Sequence, residues 1–253
     1  MSRIRITLLP ILAALAMGGC TYNLQHVREP GRAVAFPTAL WWSSMVYAAR
    51  TDSGVIVVDL GWFGAEGALR DRLRELGATT EDVSDVFVTH SHRDHIGAWR
   101  AVSGARFHLY APEEPLFVGQ RDHADVPSRG ARRVAGHAGP VPGEVALVPF
   151  AADTLYTFGR DTVRAFAVPG HTEGSAAYLF RGILFVGDAV ARKPLIGFRG
   201  ADVVFSDDTR RNAESLRSLF DRVRPYDVRW LCNAHAKCAA YDSALVAKLT
   251  RTR

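Results

Sequence analysis

The apolar residues of this chain fall into short runs punctuated by glycine, proline and charged clusters. Val55-Ile56-Val57-Val58 is unbroken and ends in Asp59, with Gly61 placed for a turn. Val83, Val86, Phe87, Val88 and Thr89 form a second run of the same kind. Runs like these, rich in β-branched residues, mark strands buried on both faces. By the same criterion strands are predicted over residues 39–46, 54–60, 105–110, 163–168, 182–188 and 230–235. Residues 144–168 alternate in the manner of hairpin strands, with Gly159-Arg160-Asp161 as the turn. Two stretches follow a helical period instead. Ala65, Leu69, Leu73 and Leu76 recur with Arg and Glu between them, and Gly77 stands where a helix closes. Ala213, Leu216, Phe220 and Val223 share a face from Asp208-Thr209 to Arg224, and Pro225 ends the helix. Thr79 or Thr80 caps a short turn before the Val86 strand, and a helix is expected to begin near Ile96-Gly97-Ala98-Trp99.

The N-terminus obeys another rule. Arg3 and Arg5 precede an apolar core over residues 6–17, broken only by Thr7 and Pro10, and then Gly18-Gly19-Cys20. The run is short for a membrane span and has the charge layout of an export signal. A cysteine directly after small residues is similar to a bacterial lipoprotein signal, in which Cys20 becomes the lipidated first residue. Met17 stands where such signals more often carry Leu, and ordinary secretory cleavage near Cys20 is the alternative. The expected organisation is a signal peptide over 1–19, an N-terminal linker over 20–38 and one domain over 39–253. The expected location is the cell envelope, on a lipid anchor facing the periplasm or exterior.

Composition narrows the function. A hydrophobic fraction of 48% supports a full core and excludes disorder. The net charge of +5 includes Arg3 and Arg5, which leave with the signal. Arginines concentrate over 121–133, but no lysine-rich tract or stacking platform points to nucleic acid, so none is expected as a partner. With Cys20 lipidated, Cys232 and Cys238 are either a disulfide flanking His235 or two free thiols.

The candidate chemistry centres on His90-Ser91-His92-Arg93-Asp94-His95, an H-x-H-x-D-H cluster directly after a predicted strand. Four metal-capable side chains in six positions are hard to explain as packing, since imidazole is the commonest zinc ligand and a carboxylate completes a site or orients its water. Pro169-Gly170-His171-Thr172 follows another apolar stretch. Gly187-Asp188 ends a strand, and Trp230-Leu231-Cys232-Asn233-Ala234-His235 delivers a late histidine. This order resembles the metallo-β-lactamase-fold superfamily over roughly residues 40–240. The resemblance implies a four-layer αββα sandwich of the α/β class, with ligands on loops at one edge. It implies that His90, His92 and His171 hold one metal ion, that Asp94, His95 and His235 hold a second, and that Asp188 bridges them. Asp188 is the carboxylate of the glyoxalase-II-like and lactonase-like branches, where many β-lactamases carry Cys or Ser.

The implied activity is that of a dinuclear hydrolase. A hydroxide shared by two zinc ions, oriented by the ligand and catalytic residue Asp94, attacks a β-lactam, lactone, ester or thioester carbonyl. Iron or manganese would suit the same donors. A mononuclear iron dioxygenase on this scaffold, and a lipoprotein that binds metal without catalysis, are the alternatives. Asp59 is read either as a carboxylate orienting a ligand imidazole or as a turn cap. Lys193 and Arg199 are read as groups meeting an acidic substrate or as solvated charges. The segment with Arg121, Arg129, Arg132 and Arg133 is read as a lid or a solvated insertion. Trp41, Trp42, Trp62 and Phe63 would form a pocket wall or core. Thr89 and Thr172 would position the adjacent histidines, and His26, His108, His123 and His137 are given surface or loop roles.

Overall fold

The computed structural model describes residues 27–29, 31–38, 44–133, 137–193, 195–236 and 238–251. The expected signal peptide, Cys20, His26, Trp41 and Trp42 lie outside the described residues. The first sheet holds β1 (Ala33–Pro37), β2 (Met45–Thr51), β3 (Gly54–Val58), β4 (Val83–Phe87), β5 (Arg106–Tyr110) and β6 (Ala146–Phe150), in that spatial order. The first three strands run antiparallel and β3 to β6 run parallel. Helix α1 (Glu66–Glu75) makes the crossover from β3 to β4, and the short helices α2 (Glu114–Phe117) and α3 (Arg129–Arg133) lie between β5 and β6.

The second sheet is built from β7 (Thr154–Phe158), β8 (Asp161–Ala167), β9 (Ala176–Phe180), β10 (Ile183–Phe185), β13 (Trp230–Cys232) and β14 (Ala239–Ala240). A separate hairpin, β11 (Val190–Lys193) with β12 (Gly197–Gly200), follows β10. Helix α4 (Thr209–Val223) links it to β13, which pairs parallel to β10, and α5 (Ser243–Thr250) closes the described chain.

Three apolar cores make this a four-layer αββα sandwich, as expected. One lies between α1 and the first sheet, with Val55, Val57, Leu69, Leu73 and Val86. The middle one lies between the sheets, with Ile56, Val58, Phe87, Tyr178 and Phe185. The third lies between the second sheet and helices α4 and α5, with Leu179, Leu184, Leu216, Phe220 and Leu249. The unbroken runs in the sequence follow from this layering. Alternate residues of β3 enter different cores, as do Tyr178 and Leu179 of β9, so neither face tolerates polar residues.

Several expectations change. Residues 33–37, read as linker, form strand β1, in which Ala35 pairs with Tyr47. Its alternate residues also enter two cores, Val34 and Phe36 one and Ala33 and Ala35 the other, so it belongs to the domain. The hairpin over 144–168 is real only in its second half. Gly159, with φ +65°, turns β7 into β8, whereas β6 pairs parallel to β5 in the other sheet. The helix expected near Ile96 is one short 3-10 turn, Trp99–Val102. His108, given a surface or loop role, is buried on β5. Its Nε2 donates to Asp85 Oδ1 at 2.6 Å and its ring stacks on Phe87.

Candidate metal centre

The parallel strands deliver most of the candidate residues from their carboxyl ends, where α/β sheets gather their ligand sites. Asp59 follows β3, residues 90–95 follow β4, Asp188 follows β10 and His235 follows β13; His171 comes from the loop between β8 and β9. All seven proposed ligands come together. His90 Nε2, His92 Nδ1 and His171 Nε2 form a triangle with every edge 3.1 Å. Tetrahedral ligand atoms at zinc distances lie about 3.4 Å apart, so the triangle has the size of one face of such a site. His235 Nε2 lies 3.3 Å from Asp94 Oδ2, and His95 Nε2 lies 3.6 Å from the same oxygen. Asp188 stands between the two groups. Its Oδ2 is 3.7 Å from His171 Nε2 and 3.1 Å from His235 Nε2, and its Oδ1 is 3.8 Å from His95 Nε2.

Divalent cations fit this donor set. His95 Nε2 and Asp188 Oδ1 are buried with no hydrogen-bond partner among the described residues, and both belong to the cluster. Unpartnered buried polar atoms are rare in folded proteins and call for an absent ion or water.

The surrounding bonds orient three of the rings. Asp59 accepts from Thr89 N at 2.8 Å, from Thr89 Oγ1 at 2.8 Å and from His95 Nδ1 at 2.9 Å. His95 Nδ1 therefore donates to Asp59, and its Nε2 faces the cluster. The Thr89 hydroxyl hydrogen is committed to Asp59, so its oxygen receives the proton of His90 Nδ1 at 3.2 Å. Ser206 Oγ donates to the Asp202 carbonyl and accepts from His171 Nδ1 at 3.0 Å. The Ser44 hydroxyl donates to the backbone carbonyl of Asp94, and Met45 N donates to the Ala234 carbonyl at 2.8 Å, which ties the His235 loop to β2. A disulfide joins Cys232 to Cys238 across that same loop.

Protonation follows from burial and charge. Burial, reinforced by neighbouring imidazoles, holds His90 and His92 well below the ordinary histidine range. Burial likewise pushes His171 down to about 4, against the pull of Asp188. These three rings are neutral at physiological pH, the form in which imidazole binds metal. Burial also acts to lower His95, but Asp94, Asp59 and Asp188 outweigh it and raise the ring to about 9. Burial acts to raise Asp188, yet His235, His95 and His171 hold its carboxyl far below the usual carboxylate range. The two carboxylates make the His95 and His235 half the anionic side of the centre.

The other candidate residues make contacts of their own. Lys193 pairs with Asp202 at 2.9 Å, and Arg199 donates to the Phe198 carbonyl at 3.0 Å. Arg121 pairs with Glu173 at 2.9 Å, and α3 packs on the loop before His171's partner Ser206, Gly130 N donating to the Val204 carbonyl at 2.7 Å. Phe63 is 72% exposed, which removes core packing as its role. His137 keeps a loop role, with Nε2 donating to the Pro140 carbonyl at 2.8 Å. His123 lies in the connection between β5 and β6 but is buried, not on the surface, with its ring 5.4 Å from that of His92. Sequence reasoning also missed Glu113, Ser44 and Ser206. A lone Glu or Ser in a loop carries no signal of what it will face after folding.

The family model described as metallo-beta-lactamase superfamily matches residues 39–235. The chain belongs to the metallo-beta-lactamase superfamily. It is 27% identical over 159 residues to a probable polyketide biosynthesis zinc-dependent hydrolase of Bacillus velezensis, covering 59% of this chain and 56% of that protein. It is 32% identical over 122 residues to a hydroxyacylglutathione hydrolase of a Synechococcus species, covering 47% of this chain and 38% of that one. The matches thus span little more than half of the first relative's length and well under half of the second's. Among solved structures, a metallo-beta-lactamase family protein of Thermus thermophilus superposes with a TM-score of 0.63 at 23% identity, over 88% of this chain and 79% of the other.

Proposed function

We propose that this protein is a hydrolase that holds two divalent metal ions and cleaves an acyl bond of a carbonyl substrate with water. The observation that carries the reading is the convergence of seven side chains from separate loops, leaving His95 Nε2 and Asp188 Oδ1 buried and unpartnered. His90, His92 and His171 would hold one ion, Asp94, His95 and His235 the other, and Asp188 reaches both groups. Ions bound there supply Lewis acidity and make water far more acidic than in bulk.

The chain's own residues do the rest. Asp59, Thr89 and Ser206 hold His95, His90 and His171, each with its Nε2 turned to the cluster. Asp94 orients the attacking water and receives its proton. His235 is the most exposed member of the set, its side chain 37% exposed, so substrate approaches from its side.

Zinc is the proposed metal, supported by the nitrogen and oxygen donors and by the zinc-dependent description of one relative. Iron and manganese suit the same set. An ester or thioester is the favoured substrate, supported by the hard oxygen of Asp188 in place of a thiolate and by the hydroxyacylglutathione hydrolases among the relatives. Export, lipidation at Cys20 and a small-molecule substrate complete the proposal and rest on the sequence.

Metal analysis of purified protein, with a panel of thioester, ester, lactone and β-lactam substrates, tests it. Two equivalents of metal and hydrolysis of at least one substrate are expected. Asp94→Ala and His92→Ala should each lower kcat/KM by at least about 100-fold, the scale of a lost general base or metal. Full turnover in either variant would end the metal mechanism.

A further inference from the structure

Glu113 lies on no motif, yet it is completely buried, at 0% exposure, in the turn between β5 and α2. Its two carboxylate oxygens face two different loops. Oε1 accepts from Ser91 N and Ser91 Oγ, both at 2.6 Å. Oε2 accepts from Thr172 Oγ1 at 2.7 Å and from Gly174 N at 3.1 Å. Ser91 is the residue between His90 and His92, and Thr172 directly follows His171. One carboxylate thus ties together the two chain segments that supply the three-histidine triangle, which are about 80 residues apart in sequence. Gly174 lets it come close: a Cβ there would stand 2.2 Å from Glu113 N.

The chemistry of the bond set requires an acceptor on both sides. All four partners are donors, and two are backbone N–H groups that cannot rotate away. An ionised carboxylate offers two acceptor oxygens with no hydrogen of its own, and no neutral side chain of the same length does. Burial leaves no water to substitute for a lost bond. The Ser91 and Thr172 contacts also have a reach that Asp, one methylene shorter, does not span.

We infer that Glu113 is the positioning residue that sets the separation of the 90–95 and 171–174 loops, and through it the affinity of the three-histidine site for metal. This rests on the proposal that the site binds metal. Glu113 touches neither substrate nor ion; it acts through Ser91 and Thr172 on the rings beside them.

The test is Glu113→Gln in the full-length protein, stripped of metal and titrated with zinc against a chelating indicator and with cobalt(II) in the visible spectrum. Melting of the metal-free protein is measured alongside. Whichever way the new amide is turned, its NH2 group meets either Ser91 N–H or Gly174 N–H, so one loop is released. Zinc affinity should fall about 10- to 100-fold, the usual effect of removing a partner behind a metal ligand, and the cobalt bands should shift. Ser91→Ala and Thr172→Val each delete one hydroxyl donor while keeping the carboxylate. They should show smaller losses of the same kind, and they answer the question if the Gln variant does not fold. A folded Gln variant whose zinc affinity lies within about threefold of wild type, or whose cobalt spectrum superimposes on it, overturns the inference and leaves Glu113 a purely structural residue. Wild-type protein that binds neither ion overturns instead the metal-centre reading on which the inference rests.

Discussion

Thr89 occupies a position where side-chain identity is dictated from several sides at once. Its hydroxyl donates to Asp59 and accepts from His90, and Gly187 packs against it so closely that a Cβ there would lie 2.6 Å from Thr89 Oγ1. Gly187 also has φ +49°, a left-handed conformation that suits glycine, so Gly187 before Asp188 answers both a backbone and a packing requirement. Asp207 offers a sharper test at this scale. Burial raises its carboxyl from the ordinary 3.8 to about 6, although Ser128 N donates to Oδ1 at 3.1 Å and works the other way. A carboxyl whose folded pKa is raised contributes stability that is fully present below pH 3.8 and is lost as pH rises through about 6. Asp207→Asn keeps an acceptor for Ser128 and removes the charge. The variant should be more stable than wild type at about pH 7 to 8, and the gap should close as pH falls toward about 4. Urea unfolding at both ends of that range checks it, and a gap of constant size would show that the charge is not the cause.

At the scale of elements, the two sheets are joined by a hydrogen bond as well as by packing. Tyr178 of β9 donates from its hydroxyl toward the Val88 carbonyl at 2.8 Å and the His108 carbonyl at 3.1 Å, both in the opposite sheet's layer. Val88 leads directly into Thr89 and His90, so this contact anchors the start of the candidate site. Tyr178→Phe keeps the ring in the middle core but leaves buried carbonyls short of a donor. A loss of about 1–2 kcal/mol in unfolding free energy is expected, read by denaturant titration. An unchanged midpoint would mean that this hydroxyl adds nothing to the joining of the sheets. Helix boundaries were legible at this scale because their signals are local. Asp208 caps α4 by accepting from Arg210 N and Arg211 N, and Gly77 closes α1 with φ +63°. Strand β6 was misplaced because strand partners are not local: residues 146–150 look the same whether they pair with β7 or with β5.

For the whole molecule, the candidate centre is the point where loops from both sheets meet, so metal occupancy should govern global stability. Without an ion, the carboxylates and imidazoles leave unpartnered atoms in the interior. A ligand that binds only the folded state stabilises it by about 4 kcal/mol at a thousandfold excess over Kd. In a protein of this size that corresponds to roughly 10 °C in melting temperature. Chelation should lower Tm by about that amount and added zinc should restore it, as differential scanning fluorimetry would show. A Tm indifferent to both treatments would count against the centre.

Two things were already legible in the linear chain: the layered α/β fold and the identity of the seven clustered residues. The strands and helices show in continuous apolar runs and helical periods, while the four-layer arrangement and the full set of seven were implied by the family resemblance that the H-x-H-x-D-H cluster, His171, Asp188 and His235 carry. Other outcomes depended on the folded arrangement. They include the strand at residues 33–37, the burial of His108 and His123, and the capture of Lys193 by Asp202. The placing of Glu113 between Ser91 and Thr172 belongs with them. The division has a physical cause. Periodicity and capping act on each residue through its neighbours in the chain, whereas burial and hydrogen-bond partners are fixed only when distant segments meet.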